Sequence, residues 1–464
     1  MLGKIFNFVF IISVIFLIFM AGFAAKHFHF QSTLEISEFL ENVESYITQY
    51  DADSLSDTKL SKISELISKK KVIWNKEGAY NGYTLFTYRY SSNAFLADMT
   101  GKIVYRWQLP FNSVWKNQKH IKKPVPEEWI YLEKAHVFPN GDLIAVYTGI
   151  GDTPYGYGMV KVDKDSNVLW TYAGNTHHDF TIDPKTGNIF ALTQTLERSD
   201  QKLFETESNT LLIDEIVVLS PDGQEIQKFS IPEAIQNSPY ALLLNDYLKN
   251  SAKWDRFHTN SINILTPELS AAFPMFKEGN LLISIRNLDT VAVFDMAKKQ
   301  IIWAYNGLWR AQHSAHFLSN GNILVFDNKG HAKDKHIYSR VIELDPKTLG
   351  VSWHYAGNKN NPFFTDSYGR VQRLPNGNTL IVESLNSRVF EVTPNKNIVW
   401  DYKIPQKKIK KTKDAPQEAA KEETIAPYYE EPLLFNPYIN GIIVSATRYG
   451  ASELNFILNE DAAH

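Results

Sequence analysis

Four side chains carry the chemistry this sequence offers: His178 in HHDF, His258 in FHTNS, His313 in QHSAHF and Arg286 in ISIRN. Each histidine precedes a run that recurs along the chain. His178 and His313 fall at the same place before a turn glycine once one extra residue is allowed in DPKTGN, and His258 fits the same opening run before a longer insertion. Two other copies hold Glu133 and Gly369 there. If the runs are equivalent strands around an axis, the three imidazoles converge. Neutral imidazole serves as nucleophile, base or acid near neutral pH. Arg286 ends a run whose copies end in Asn328, Ser384 and Gln194. A guanidinium among neutral siblings predicts an anion site, because its donors can hold a tetrahedral oxyanion.

A structural reading competes with this one. A repeat-encoded histidine can simply bond between neighbouring repeats, and for any one of the three that is as good an account as function. Three together with an arginine tip the balance. His136 and His316 lie closer to their turns and are expected to be structural, while His177 stays open. Three neutral imidazoles also suit zinc; the charge of Arg286 argues against it, and no metal or other cofactor is expected. The chain contains no nucleophile elbow, P-loop or dinucleotide fingerprint.

The elements that must position these residues repeat every 40 to 60 residues or so, a period typical of propellers and solenoids. PNGDLIAVY leads to GMVKVD and NVLWTYAG; GNLLISIR to TVAVFD and QIIWAYNG; NGNILVFDN to RVIELD and VSWHYAG; PNGNTLIVES to RVFEVT and NIVWDY. TGNIFALTQ opens a fifth copy. Each has a glycine turn and alternating apolar runs suited to antiparallel strands. Trp170, Trp303, Trp353 and Trp400 recur at the ends of the copies and are assigned to packing. Residues 80 to 109 form a sixth copy without an opening strand, which 441 to 447 and 453 to 458 are expected to complete. The predicted fold is all-β, a six-bladed β-propeller, with seven blades as the main alternative.

The chain has 464 residues, 44% of them hydrophobic, enough for one large core. With 48 Lys and Arg against 51 Asp and Glu, no overall field favours nucleic acid. Cysteine is absent, which excludes disulfides and thiolate chemistry. Residues 5 to 25 carry no charge and are long enough for a membrane-spanning helix. The organisation read from these features is a single-pass transmembrane anchor over 1–27, a short helical stalk over 28–75 and a propeller over 76–464, expected on the periplasmic or extracytoplasmic side. A charged, Pro-containing segment at 405–430 reads as a solvated loop.

At QHSAHFLSNGNILVFDN, with FHTNS, ISIRN and HHDF, the chain resembles the bacterial arylsulfate sulfotransferases. The resemblance spans roughly residues 80 to 460. It implies a six-bladed propeller that moves a sulfuryl group from a phenolic sulfate ester to a phenolic acceptor without the nucleotide donor PAPS. It also implies that His313 is the nucleophile, sulfonated in passing, and that His258, Arg286 and His178 are the remaining channel residues. Which of His178 and His258 handles the proton stays open. The helical, membrane-bound N-terminal region departs from the family's soluble members, which carry a β-rich segment there. The alternative is a non-catalytic propeller scaffold of the cell envelope.

Overall fold

Alternating apolar runs separated by Asn-Gly and similar turns build antiparallel hairpins, and a computed structural model shows how they assemble. It describes residues 70–457 apart from 117–118, 122–123, 150–151, 153–155, 199–209, 245–254, 330–337, 359–360 and 405–441. The expected anchor at 5–25 and the charged segment at 405–430 therefore lie outside the described residues. No helix among those described is long and apolar enough to cross a membrane.

The strands form six antiparallel sheets. Ile443–Gly450, Gly82–Tyr88, Asn93–Ala97 and Ile103–Gln108 make blade I, so the opening strand missing from the sixth repeat comes from far along the chain. The inner strands of blades II to VI are Ile130–Val137, Thr176–Ile182, Thr259–Ile264, His313–Phe317 and Arg370–Arg373. Each blade packs on the next through its own apolar cluster, and these clusters run I–II, II–III, III–IV, IV–V, V–VI and VI–I. The ring is closed, which fits the six-bladed expectation and leaves no blade with a bare face.

Two devices hold it. Outer-strand tryptophans bridge the interfaces: the indole N–H groups of Trp107, Trp170, Trp303, Trp353 and Trp400 donate to Gly141, Pro221, Pro346, Pro394 and Met99 of the next blade. The inner strands have a bare edge, whose backbone donors must find acceptors. Side chains supply them. Asp179 accepts from Ile262 N–H, Ser261 from Ala315, Asn263 from Phe317, Ser314 from Val371, Gln372 from Arg448 and the Tyr449 hydroxyl from Val137. Lys134 spans the remaining step by donating to Phe180 O at 2.7 Å.

Two expectations at the ends differ. Lys71–Trp74, the last residues read as stalk, form a strand along the outer edge of blade VI, with Trp74 opposite Trp400. Residues 453 to 457 do not pair, and 458 lies outside the described residues: Gly450 is followed by a 3-10 turn over Ala451–Glu453. Leu454, Phe456 and Ile457 are instead buried against blades I and II, where Phe456 packs on the Tyr105 and Trp107 rings. Blade I already has its four strands, so these apolar residues cover an interface instead of extending a sheet.

Candidate functional site

The site is built from irregularities in the inner strands. Each inner strand closes its hairpin on a residue paired with the start of the second strand: Val137, Ile182, Ile264, Phe317 and Arg373. The fourth residue back from these is Glu133, His178, Asn260, His313 and Gly369. In blades II to V the register breaks at or beside that position. A bulge there turns a side chain that would pack between blades toward the axis. Together these five residues line one cavity, joined by Ser314, Tyr368, Arg370 and Val444. Left-handed backbone concentrates here, at His178, His258, Ala311, Ser314 and Tyr368. Such strain persists where surrounding bonds over-determine it, as at binding sites. Gly369 has φ of 95° and a Cβ would lie 2.5 Å from the Phe326 ring, so this wall of the cavity stays bare backbone.

The register corrects one equivalence. His178 and His313 are true counterparts, but in blade IV that position belongs to Asn260, and His258 stands two residues earlier, level with Ala311. The long insertion after Ile264 hid the offset. His258 nonetheless joins the group, its ring packed edge to face on His178 with centroids 4.8 Å apart. Arg286 follows the second strand of blade IV, as Asn328 and Ser384 follow theirs, and is 8% exposed. Its Nη1 donates to Asn287 Oδ1 at 2.7 Å.

His313 is held in one tautomer. Its Nδ1 lies 3.0 Å from Ala311 O and 2.7 Å from Asn328 Oδ1. Asn328 cannot present its amide nitrogen instead, because that nitrogen donates to Thr365 O and Tyr368 O at 2.9 and 2.8 Å. Two acceptors at Nδ1 put the proton there. The lone pair is therefore on Nε2, which no group bonds among the described residues. Burial, then the charge of Arg286, holds His313 well below the usual imidazole range. His178 is lowered likewise, by burial first and then by His258. Both rings are neutral at physiological pH.

A charged layer supports the rings from below. Asp179 takes Lys134 Nζ at 2.5 Å and Arg370 Nη1 at 3.3 Å, and Arg370 Nη2 donates to His178 O at 2.6 Å. Burial alone would raise Asp179, but Lys134 and Arg370 hold its carboxyl below the ordinary range. Arg370 lines the cavity; Arg286 is not among its lining residues, though its charge acts on His313. Asn260, Asn328 and Arg370 are the site residues that sequence reasoning passed over. For Asn328 and Arg370 the signal was present, since one shares the Arg286 offset and the other follows Gly369.

Three further histidines behave as filling. His136 meets the Tyr449 hydroxyl and His316 the Ser314 hydroxyl, and burial lowers both to about 4. His177, fully buried, contacts His178 through Nδ1 at 2.7 Å and is lowered to about 3, chiefly by burial. These folded-state values lie below an ordinary value near 6.5, so falling pH protonates the unfolded chain first and draws the equilibrium toward it. Thermal melts are thus expected to shift down by roughly 5 °C or more between pH 7 and pH 4, with the loss beginning near 6.5. A midpoint that holds constant over that interval would contradict the burial of neutral imidazoles.

A family model described as Arylsulfotransferase (ASST) matches residues 134–404. No curated protein matches the chain. Among solved structures, a protein of unknown function from Bacteroides caccae is 14% identical, at 69% coverage of this chain and 93% of that one, with a TM-score of 0.44. A streptogramin B lyase is 12% identical over 73% and 88%, TM-score 0.40. A europium-containing methanol dehydrogenase is 13% identical over 70% and 68%, TM-score 0.40.

Proposed function

Because the chain belongs to the arylsulfotransferase family, matched over residues 134–404, we propose that it moves a sulfuryl group between phenolic oxygens with His313 as carrier. The observation that carries this reading is the tautomer of His313, protonated at Nδ1 and with an Nε2 lone pair that no group bonds among the described residues, in a cavity lined by Arg370 and under the charge of Arg286.

The reaction runs in two displacements. Nε2 of His313 attacks the sulfur of an aryl sulfate; the new N–S bond forms as the S–O bond to the ring breaks, and the electron pair leaves on the phenolate oxygen. Positive charge gathers on the imidazole, where Ala311 O and Asn328 Oδ1 accept from Nδ1–H and stabilise it. A phenol then attacks the same sulfur, gives its proton to a neighbouring imidazole, His178 or His258, and the pair of the N–S bond returns to Nε2. Splitting the transfer in this way replaces one difficult step by two easier ones. The three non-bridging oxygens remain anionic throughout. Arg286 and Arg370 are the groups suited to hold them, as preorganised donors do in other transfers of anionic groups. Low basicity suits His313 to this work, because a ring that stays neutral keeps its lone pair.

Transfer is tested with purified protein, 4-nitrophenyl sulfate and a panel of phenols. Release of nitrophenolate is expected to depend on the acceptor, with the sulfated acceptor appearing in equal amount. If no donor in a broad set of aryl sulfates yields a sulfated phenol, the proposal fails.

A further inference from the structure

Two histidines beside the carrier differ in what stands behind them. His258 Nδ1 lies 2.5 Å from Asp255 Oδ2, a carboxylate held against Asn287 by its own backbone oxygen, which accepts from Asn287 Nδ2 at 2.8 Å. The same Asn287 side chain accepts from Arg286, so carboxylate, imidazole and oxyanion-binding guanidinium are set by one short network. His178 meets a different group at Nδ1. That atom faces another imidazole, His177, and its backbone oxygen is held by Arg370. A second buried acid, Asp214, accepts from Thr259 N–H and Gln194. Burial and the neighbouring Asp255 raise Asp214 to about 7, whereas His258 and Arg286 hold Asp255 below the ordinary range despite its burial. Of the two carboxyls, Asp255 is the one that stays ionised.

Resting on the sulfotransferase reading, we infer that Asp255 is a positioning residue that makes His258, not His178, the imidazole that exchanges protons with the phenols. With Nδ1–H bound to Asp255, the second proton of the imidazolium sits on Nε2. It passes to the departing phenolate oxygen as the S–O bond breaks, leaving His258 neutral. In the second half-reaction the same nitrogen takes the proton of the acceptor phenol as its oxygen attacks sulfur. An ionised carboxylate at 2.5 Å stabilises the imidazolium that His258 is before the first step and becomes again in the second, a role His177 cannot fill for His178.

The test is the dependence of rate on the leaving phenol. 4-Nitrophenolate departs without help, whereas unsubstituted phenolate benefits from protonation. Asp255→Asn is expected to lower kcat/KM about 100-fold with phenyl sulfate and less than about 3-fold with 4-nitrophenyl sulfate. His258→Gln should show the same selectivity, and the double variant should be no worse than His258→Gln alone. An equal loss on both donors, or losses that multiply in the double variant, would overturn the inference while leaving the sulfotransferase reading intact. Should Asp255→Asn not fold, the selectivity of His258→Gln decides alone, and a uniform loss there counts against it. Failure of the unsubstituted protein on every donor would instead overturn the reading on which the inference rests.

Discussion

His313→Gln is expected to remove transfer by at least about 10⁴-fold while leaving the melting temperature within a few degrees of the unsubstituted protein. Glutamine is close to histidine in size and still offers an amide to Ala311 O and Asn328, but it has no nitrogen lone pair able to attack sulfur. The complementary result is expected in the unsubstituted protein. Mixed with an aryl sulfate and no acceptor, it should gain the mass of one SO₃ group on the peptide that contains His313. An N-sulfonated imidazole is lost in acid and survives base, so quenching at high pH preserves it. Activity above a tenth of the original in His313→Gln, or a label mapped to another residue, removes His313 from its role.

Arg286→Gln is expected to lower kcat/KM by about 10² to 10³-fold, the scale seen when one preorganised donor to a developing oxyanion is lost. A second effect separates this role from mere packing. The charge of Arg286 is, after burial, the largest influence lowering His313. Removing that charge makes the imidazolium easier to form, so the affinity of His313 for a proton rises. The neutral ring is the reactive one, and the acid limb of the rate profile should therefore move to higher pH in Arg286→Gln. Arg286→Lys keeps the charge without the fork of donors; it should leave the limb near its original place and recover only part of the rate. An unmoved limb in Arg286→Gln, or a loss under about 5-fold, would place Arg286 outside the sulfuryl site.

Much of the ring was legible because its signals are local. Asn-Gly turns, alternating apolar runs and aromatic strand ends repeat within a few residues of one another, and they mark the strands of blades II, IV, V and VI well. His178, His313 and Arg286 could be located because each sits at a fixed count from those turns. What escaped depends on partners distant in sequence. Asn328 resembles filler beside Ser384 until its amide is seen between the carbonyls of Thr365 and Tyr368, which face it only after blade VI docks on blade V. Asp255 adjoins a segment of low pattern content, and only the short bond to His258 distinguishes it from any loop acid. Lys71–Trp74 alternates too briefly to announce a strand, and it pairs solely because the edge of blade VI is open to it. His258 shows the opposite error, a residue in the right place for the wrong reason, because counting across a long insertion cannot see a bulge.

The inner strand of blade I has a consequence for how the molecule comes into being. Arg448 bonds Tyr80 O across 368 positions of chain, and the Gly82–Tyr88 strand finds its innermost partner only when Ile443–Gly450 arrives. Contacts at such separation are slow to form, since a long loop must close before any of them is made. Blades III, IV and V, which hold His178, His258, Arg286 and His313, are each complete from contiguous sequence. During synthesis the reactive side chains therefore meet on an open arc, well before the circle exists. Joining Ile443–Gly450 to Gly82–Tyr88 is then the event that converts a curved stack with two raw ends into a rigid body, and the order of translation places it after the chemistry has already been assembled.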